Sequence, residues 1–341
     1  MLHTKDLSAF IPPGQYRYHR TKLTAKEQEA YDSLLSGLLR FEDQIQVPVN
    51  SGDRISAIFH AICYDVPEIF YVRHLKRRSR PLDRCCTVLP EYRFGYNDCV
   101  TLLTAMERTV NEHYRSDSGK AEDRIARIHS ELVHSVTYQG LRDSYSHEAP
   151  GAMIYGAAVC EGIAKAVKFA CDRVFPEGKP IVVYGDAVSC EDNPPEKHAW
   201  NIVTVDGIPY HLDVTFDNTL TAGGSMRYDY FLLSDRQIGE DHFFEDMPPC
   251  QQDFEFYDKY GFAPQTPEQL RNIVDSRLAP GKPLPLVVLL PVKASDGSAA
   301  AMMLAQRIAD WHKSAHGRPE IITVSCNKFR SIFSINVVRQ S

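Results

Sequence analysis

Three side chains with the chemistry for acyl transfer follow one another along the chain: Cys160, His198 and Asp213. A thiol that attacks an acyl carbon needs a lowered pKa, a general base within reach and a third group that holds the base in one orientation. Cysteine, histidine and aspartate are residue types that meet these three needs. The set therefore predicts a nucleophile, a base and an orienting carboxylate.

The pattern around Cys160 predicts a helix that begins at this residue. Gly156 and two alanines precede it, and apolar residues recur with helical period from Ile163 to Val174. The partial positive charge of a helix N-terminus favours a thiolate. A cysteine on an apolar helix is more often a buried structural thiol, so the prediction depends on the whole set of three residues.

Two predicted strands bring the other two members of the set together. Runs of alternating apolar residues flank Asp206 and Gly207, a dipeptide whose preference for positive φ closes antiparallel strands. His198 lies near the start of the first strand and Asp213 near the end of the second, at similar distances from the turn. We expect the two side chains to lie on one face of the ladder.

Two alternatives use the same part of the sequence. His211 lies two residues before Asp213 and would point to the same face, but His198 is favoured as the base because it would sit opposite Asp213. Cys160, His198, His211 and Asp213 are all zinc-ligand types, which would suit a metal-dependent hydrolase. Only His211 and Asp213 are close in sequence, so we predict no metal site.

The whole chain has the pattern of an α+β protein. Residues 1–120 are predicted to be mainly helical, with one helix over 24–41 that begins at a threonine cap, and the catalytic core is predicted over 121–262. Prolines around one short helix indicate a connector over 263–284. Alternating strand, helix, strand and strand patterns predict a small α/β module over 285–341.

Three segments resemble the core of the bacterial transglutaminase-like superfamily, which is related to papain in architecture. They are "AAVCEGIAKAVKFACD", "KHAWNIVTVDGIPYHLDVTFD" and "RYDYFLLSD", within a similarity that runs over roughly residues 20–245. The resemblance implies a nucleophile helix packed on an antiparallel sheet, with Cys160 as nucleophile, His198 as base and Asp213 as orienting acid.

The resemblance also implies the kind of reaction. The enzyme would form an acyl-enzyme, which water resolves in a protease or amidase and an amine resolves in a transglutaminase. Sequence alone leaves that choice open. A non-enzymatic protein-binding scaffold of the same fold is the alternative, because a fold does not fix a function. The intact set of three residues counts against that alternative.

Four further residues are candidates for substrate binding. Trp200 lies beside the predicted base, and Gly162, in the first helical turn, has no side chain and would let a substrate backbone approach. The side chain of Tyr138 or of Gln139 would stabilise an oxyanion, for which the backbone N–H of Cys160 is the other candidate donor. We expect a protein or peptide substrate.

Composition predicts an ordinary globular chain without nucleic-acid or membrane partners. The 341 residues carry a formal charge of −6, and the basic stretch 73–80 lacks interleaved aromatics, as in a solvated strand edge or loop. No segment approaches the roughly 20 apolar residues that span a bilayer, and no signal peptide is visible. Nine cysteines without a C-x-x-C pair indicate reduced thiols, so we predict a cytoplasmic protein that needs no cofactor.

Overall fold

The computed structural model describes residues 5–79, 83–115, 119–140, 145–189, 193–221, 226–278, 286–289, 303, 306–310 and 321–338. The chain forms two compact units. The first unit comprises Met1–Asp186 and Lys197–Pro209, and the second comprises Ala187–Glu196 and Tyr210–Ser341. Both units contain helices and strands, so the protein has the mixed helix and sheet content that the sequence predicts.

Seven α-helices lie among the described residues of the first unit. They are α1 (Tyr18–Thr21), α2 (Ala25–Leu39), α3 (Gly52–Asp65), α4 (Tyr96–Thr109), α5 (Ala121–Ser135), α6 (Ala149–Met153) and α7 (Cys160–Val174). The helix predicted over 24–41 is confirmed as α2. Its start is closed by a capping box, in which the backbone N–H of Thr24 donates to the Glu27 carboxylate at 3.0 Å.

The region over 1–120, which was predicted to be mainly helical, also contains a three-stranded sheet. Strands β1 (Ile45–Val47), β2 (Val72–Arg78) and β3 (Cys86–Tyr92) form an antiparallel sheet with β3 in the middle. Strand β2 therefore lies at an edge, and most of its side chains are exposed. The basic stretch begins on this edge, where its charges stay solvated as predicted, and Arg80 lies outside the described residues.

Helix α7 begins at Cys160, as the sequence predicts, and packs against α5 and α6. Every residue from Gly162 to Asp172 is buried. Strands β4 (Thr137–Tyr138) and β5 (Ala157–Ala158) pair in parallel directly before it. The start of α7 is therefore fixed by the paired strand β5 directly before it and by its packing against α5 and α6.

Two lysines of α7 are buried, and both are neutralised. The ammonium group of Lys165 lies 2.9 Å from the carboxylates of Glu148 and Glu161. Lys168 pairs with Asp172 at 3.2 Å. An unpaired ammonium group in the interior would cost several kcal/mol, so these ion pairs are what allow the helix to be buried on all sides.

A sheet lies beside α7 in the first unit. Strands β6 (Ile181–Ala187) and β7 (Glu196–Val205) are neighbours in it. The side-chain amide of Asn201, on β7, donates to the carbonyl of Ala164 on α7 at 3.0 Å and to that of Ile181 on β6 at 3.2 Å. This one side chain ties the helix to both strands.

The predicted tight turn follows β7. Asp206 and Gly207 have φ angles of 50° and 83°, the left-handed values that a two-residue hairpin turn of type I′ requires. Strand β8 (Ile208–Leu212) comes next and pairs antiparallel with β9 (Phe231–Leu233). A register shift between His211 and Leu212 interrupts the regular alternation of side chains that the sequence analysis assumed near Asp213.

The second unit combines short helices with a C-terminal sheet. Its further elements are α8 (Val214–Thr221), α9 (Asp235–Ile238), β10 (His242–Phe243), α10 (Phe256–Lys259), α11 (Pro267–Leu278), β11 (Leu286–Leu289), β12 (Ile321–Asn327) and β13 (Ile332–Val338). Strand β13 lies between β11 and β12, antiparallel to both. Helix α11 is the short helix of the predicted connector, and residues 279–284 lie outside the described residues.

The C-terminal sheet packs against earlier residues of the second unit. Val287 and Ile332 share a buried cluster with Tyr257. The side-chain amide of Asn327 donates to the Asp229 carboxylate at 3.0 Å. The division into two units differs from the four parts that we expected, and those four parts stay a prediction.

None of the helices among the described residues combines the length and the apolar character needed to cross a bilayer. The eight cysteines within the described ranges are free thiols. Cys190 lies outside these ranges, and the cytoplasmic location stays a prediction.

Candidate active site

Cys160 is the first residue of α7 and is half-buried. It packs against a small buried cluster of Ala164, Val182 and Ala199, together with Tyr64. Ala199 lies on β7, so α7 and the sheet meet around this thiol. The residue therefore combines a position at a helix N-terminus with partial exposure.

His198 is the residue before Ala199 on β7 and is 5% exposed. Its ring lies nearly parallel to that of Trp200, with 5.8 Å between ring centroids and 18° between planes. Trp200 is itself only 1% exposed. Its indole is therefore a packing neighbour of His198, and its proposed role in binding substrate stays a prediction.

Gly162 is required by the chain's own packing. A Cβ atom at this position would lie 2.3 Å from the backbone carbonyl oxygen of Ser146 and 3.1 Å from that of Glu148. The segment before α7 therefore lies directly against Gly162, on the side where a Cβ atom would be. That contact fixes the first turn of α7 against its own loop, and a substrate contact at Gly162 stays a prediction.

Tyr138 and Gln139 lie beside the residues that lead into α7. The parallel ladder pairs Tyr138 with Ala158, and the backbone N–H of Gln139 donates to the carbonyl of Ala158 at 3.1 Å. Both side chains are exposed. Gln139 is therefore held two residues from Cys160 along the paired strand, where an oxyanion donor would be useful, although that role stays a prediction.

Charged side chains surround the second residue of α7. Glu161 accepts from Lys165 and lies 3.0 Å from Nδ1 of His147. Burial by itself would favour the neutral acid, but these two partners hold the pKa of Glu161 down at about 2. The carboxylate next to Cys160 therefore stays ionised and neutralised by its own partners.

Asp213 lies in the second unit, directly before α8. Its Oδ1 accepts from the backbone N–H groups of Thr215 and Phe216 at 2.8 and 3.1 Å, the contacts of an N-cap. Its Oδ2 lies 3.0 Å from Nε2 of His242. The side chain is fully buried, so the helix start and the imidazole together hold this carboxylate in one orientation.

His242 is a partner of Asp213 that the sequence analysis missed. Its other ring nitrogen, Nδ1, lies 2.6 Å from the carboxylate of Asp241, which also accepts from the hydroxyl of Tyr230. Burial opposes a charged imidazole, but the hydrogen bonds to Asp213 and Asp241 outweigh it and raise the pKa of His242. The only hint in the sequence is the Asp-His pair before two phenylalanines, a polar pair in an aromatic segment.

The rival base, His211, has a different partner. Its Nε2 lies 2.9 Å from Oδ1 of Asp235. Burial, only partly offset by that carboxylate, lowers the pKa of His211 to about 4. A group with such a low pKa is a weak base near neutral pH, which disfavours His211 for activating a thiol.

One cluster of metal-ligand types lies within the second unit. The ligand atoms of His211, Asp235 and Cys250 lie within 4.8 Å of one another. Two of these residues are already joined by the hydrogen bond between His211 and Asp235, and the other Asp235 oxygen accepts from the backbone N–H of Cys250 at 3.0 Å. The cluster is thus satisfied by its own hydrogen bonds, and it differs from the four-residue set that the sequence suggested.

Comparison by sequence assigns no family to the chain. No protein-family model matches it, and no curated protein matches it significantly.

Comparison by structure finds partial likenesses. The chain is similar to a candidate cysteine protease from Cytophaga hutchinsonii, with a TM-score of 0.26 and 12% identity over 42% of this chain and 61% of that chain. It is similar to a TGase, with a TM-score of 0.31 and 12% identity over 67% of each chain. A candidate protease from Parabacteroides distasonis has a TM-score of 0.24 and 9% identity over 42% of this chain and 36% of that chain.

The match covers less than two thirds of the first of these proteins. All three TM-scores lie below 0.5.

Proposed function

We propose that this protein is a cysteine-dependent acyl-transfer enzyme that acts on peptide or amide bonds. The observation that carries the proposal is the position of Cys160, a half-buried thiol at the first residue of α7 that packs against Ala199, the chain neighbour of buried His198. A helix N-terminus favours the thiolate, and an imidazole is the base that a catalytic thiol most often uses.

In the proposed reaction, the Cys160 thiolate attacks the carbonyl carbon of the substrate. The backbone N–H of Cys160, with a side chain of Gln139 or Tyr138, stabilises the negative oxygen that develops. His198 then gives its proton to the leaving amine, the C–N bond breaks, and a thioester to Cys160 remains. Asp213 orients His198 and stabilises its protonated form.

The second half of the reaction regenerates the thiolate. His198 takes a proton from an incoming water or amine, which attacks the thioester carbon and expels the sulfur. Water yields a carboxylic acid, as in a protease or amidase, and an amine yields a new amide, as in a transglutaminase. A protein or peptide substrate suits either outcome.

Product analysis tests the proposal. The full chain is incubated with a peptide library, with and without an added primary amine, and the masses of the products are measured. We expect hydrolysed peptides or amine adducts that the Cys160→Ala variant does not form. Unchanged peptides together with an inert Cys160 would contradict the proposal and favour a protein-binding scaffold, and turnover that a chelator abolishes would favour a metal-dependent hydrolase.

A further inference from the structure

Four buried polar side chains are linked in series by hydrogen bonds: Asp213, His242, Asp241 and Tyr230. Both ring nitrogens of His242 face a carboxylate, Nε2 that of Asp213 at 3.0 Å and Nδ1 that of Asp241 at 2.6 Å. The Tyr230 hydroxyl donates to the second oxygen of Asp241. Each of the four residues is at most 2% exposed, so water screens these charges poorly.

The two contacts determine the protonation of His242. A neutral imidazole has one donor nitrogen and one acceptor nitrogen, whereas an ionised carboxylate only accepts. Both hydrogen bonds of His242 can form at once with ionised Asp213 and Asp241 only when both of its ring nitrogens carry protons. The imidazolium also supplies the positive charge that two buried carboxylates need, since an uncompensated buried charge costs several kcal/mol.

The contacts also fix the carboxylate of Asp213 at both oxygens. Oδ1 caps α8 through Thr215 and Phe216, and Oδ2 meets the His242 ring. Rotation of the carboxylate would break at least one charge-assisted hydrogen bond. On the far side of the ring, Asp241 faces Nδ1 and is itself held by the hydrogen bond from the Tyr230 hydroxyl.

We propose that His242 is a positioning residue, which as an imidazolium between Asp213 and Asp241 keeps the Asp213 carboxylate ionised and correctly oriented for His198. The inference rests on the proposed function, because Asp213 matters to catalysis only if it orients the base. His242 itself touches no reacting atom in this scheme. It acts through Asp213, and its loss should change the pH range over which the base works.

Further groups of the second unit lie near the ring. The Phe216 ring of α8 lies 4.7 Å from the His242 ring and the Tyr230 ring 5.6 Å, both centroid to centroid. His211 is close enough for the two histidines to interact electrostatically. Asp213 and Asp241 are the acids that raise the pKa of His242, so these two carboxylates account for its charge.

The test compares His242→Gln with the unchanged chain by the rate at which iodoacetamide alkylates Cys160 between about pH 5 and 9. Glutamine keeps a donor but cannot carry the charge. We expect the alkaline limit of the enhanced thiolate reactivity to move to lower pH and the rate below pH 7 to fall about tenfold, the effect of losing one charge-assisted hydrogen bond. An unchanged pH profile in a folded variant would overturn the proposal.

His211→Gln is the matched control. It removes a second fully buried histidine of the same unit, whose partner is Asp235 and not Asp213. We expect the same pH profile as in the unchanged chain. Equal shifts in both variants would show a general loss of structure and would also overturn the proposal.

Asp241→Asn keeps the test decisive if the His242 variant does not fold. It leaves His242 in place but removes one of its two carboxylates, so a smaller shift in the same direction is expected. No shift in this variant would count against the proposal.

Nuclear magnetic resonance of the full chain, labelled with nitrogen-15 in its histidines, separates the two proposals. Two protonated ring nitrogens on His242 at neutral pH are expected, and a neutral ring would overturn the positioning role even if Cys160 is reactive. A charged His242 together with an inert Cys160 would instead show that the proposed function has failed.

Discussion

The residues at the starts of helices α7 and α8 differ in their exposure and in their hydrogen bonding. Cys160 begins α7, is half-buried, and has mainly small apolar neighbours. Asp213 precedes α8, is fully buried, and is bonded at both oxygens by backbone N–H groups and by His242. Both helix starts favour a negative charge, but the residue at the start of α7 is partly exposed and Asp213 is not.

The difference in exposure and hydrogen bonding between Cys160 and Asp213 fits the roles proposed for them. A nucleophilic sulfur forms a new bond to the substrate. Strong hydrogen bonds to the sulfur would have to weaken first, so a site with few polar partners suits a nucleophile. An orienting acid must stay where it is, so it suits a place where every movement breaks a hydrogen bond. The surroundings of Cys160 and Asp213 differ in the direction that the proposed mechanism calls for.

The largest effects are expected when the proposed nucleophile, base and orienting acid are each replaced in turn. Cys160→Ala and His198→Ala should each lower turnover by roughly a thousandfold or more, because nucleophile and base act as a unit. Asp213→Asn should lose less, since it removes only the charge that orients the base. Steady-state kinetics on a peptide substrate measures the order of the three effects.

His211→Ala serves as the control in that series and should retain most of the turnover. If it abolished turnover while His198→Ala remained active, His211 would be the base and the role given to Asp213 would fall with it.

A smaller effect is expected from moving the start of α7 without touching its chemistry. Gly162→Ala places a Cβ atom against the Ser146 carbonyl, 2.3 Å away, so the loop must shift at a cost of about 1–3 kcal/mol in the free energy of unfolding. Alkylation of Cys160 should slow accordingly. Gly119→Ala, where an added Cβ meets nothing within 4 Å, should change neither quantity, and equal stability of the two variants in urea would refute the packing role of Gly162.

The smallest expected effect is a pH dependence of stability with opposite signs at two histidines. The raised pKa of His242 gives a stabilisation that is fully present below its ordinary value of 6.5 and is lost as pH rises through the folded value. The pKa of His211 falls from 6.5 to about 4, so its contribution is present above 6.5 and is lost as pH falls towards 4.

Urea unfolding across this pH range reports both contributions. Relative to the unchanged chain, His242→Gln should be most destabilised at the acid end, whereas the deficit of His211→Gln should shrink there. A deficit that runs the same way in both variants would show that the charge states assigned to them are wrong.

The features that the sequence predicted correctly are local ones. The start of α7 follows from small residues before Cys160 and the apolar period after it, and the turn follows from the φ preferences of Asp206 and Gly207. Each of these two features depends on residues that are close together in the sequence. Such signals survive folding because nothing distant has to agree with them.

The features that the sequence did not reveal depend on distant residues. His242 meets Asp213 across 29 positions, and the space at Gly162 is filled by a loop 16 residues earlier, which no periodic pattern encodes. A strand edge or loop was expected at 73–80, but the pairing of Ile45 on β1 with Val88 on β3, 43 positions later, was not. Long-range packing decided all three.

Competitive alkylation of the nine thiols tests whether Cys160 is an activated nucleophile. Iodoacetamide is added in limiting amounts below pH 7, and modified peptides are quantified by mass spectrometry. Burial raises the pKa of Cys63, Cys99 and Cys250 to about 12, so these thiols should be inert. Exposed Cys85 is the internal control for accessibility without a helix start.

We expect Cys160 to react first and His198→Ala to remove its advantage over Cys85. If Cys63, Cys85 or Cys99 were modified first while Cys160 stayed inert, the assignment of the nucleophile would be contradicted.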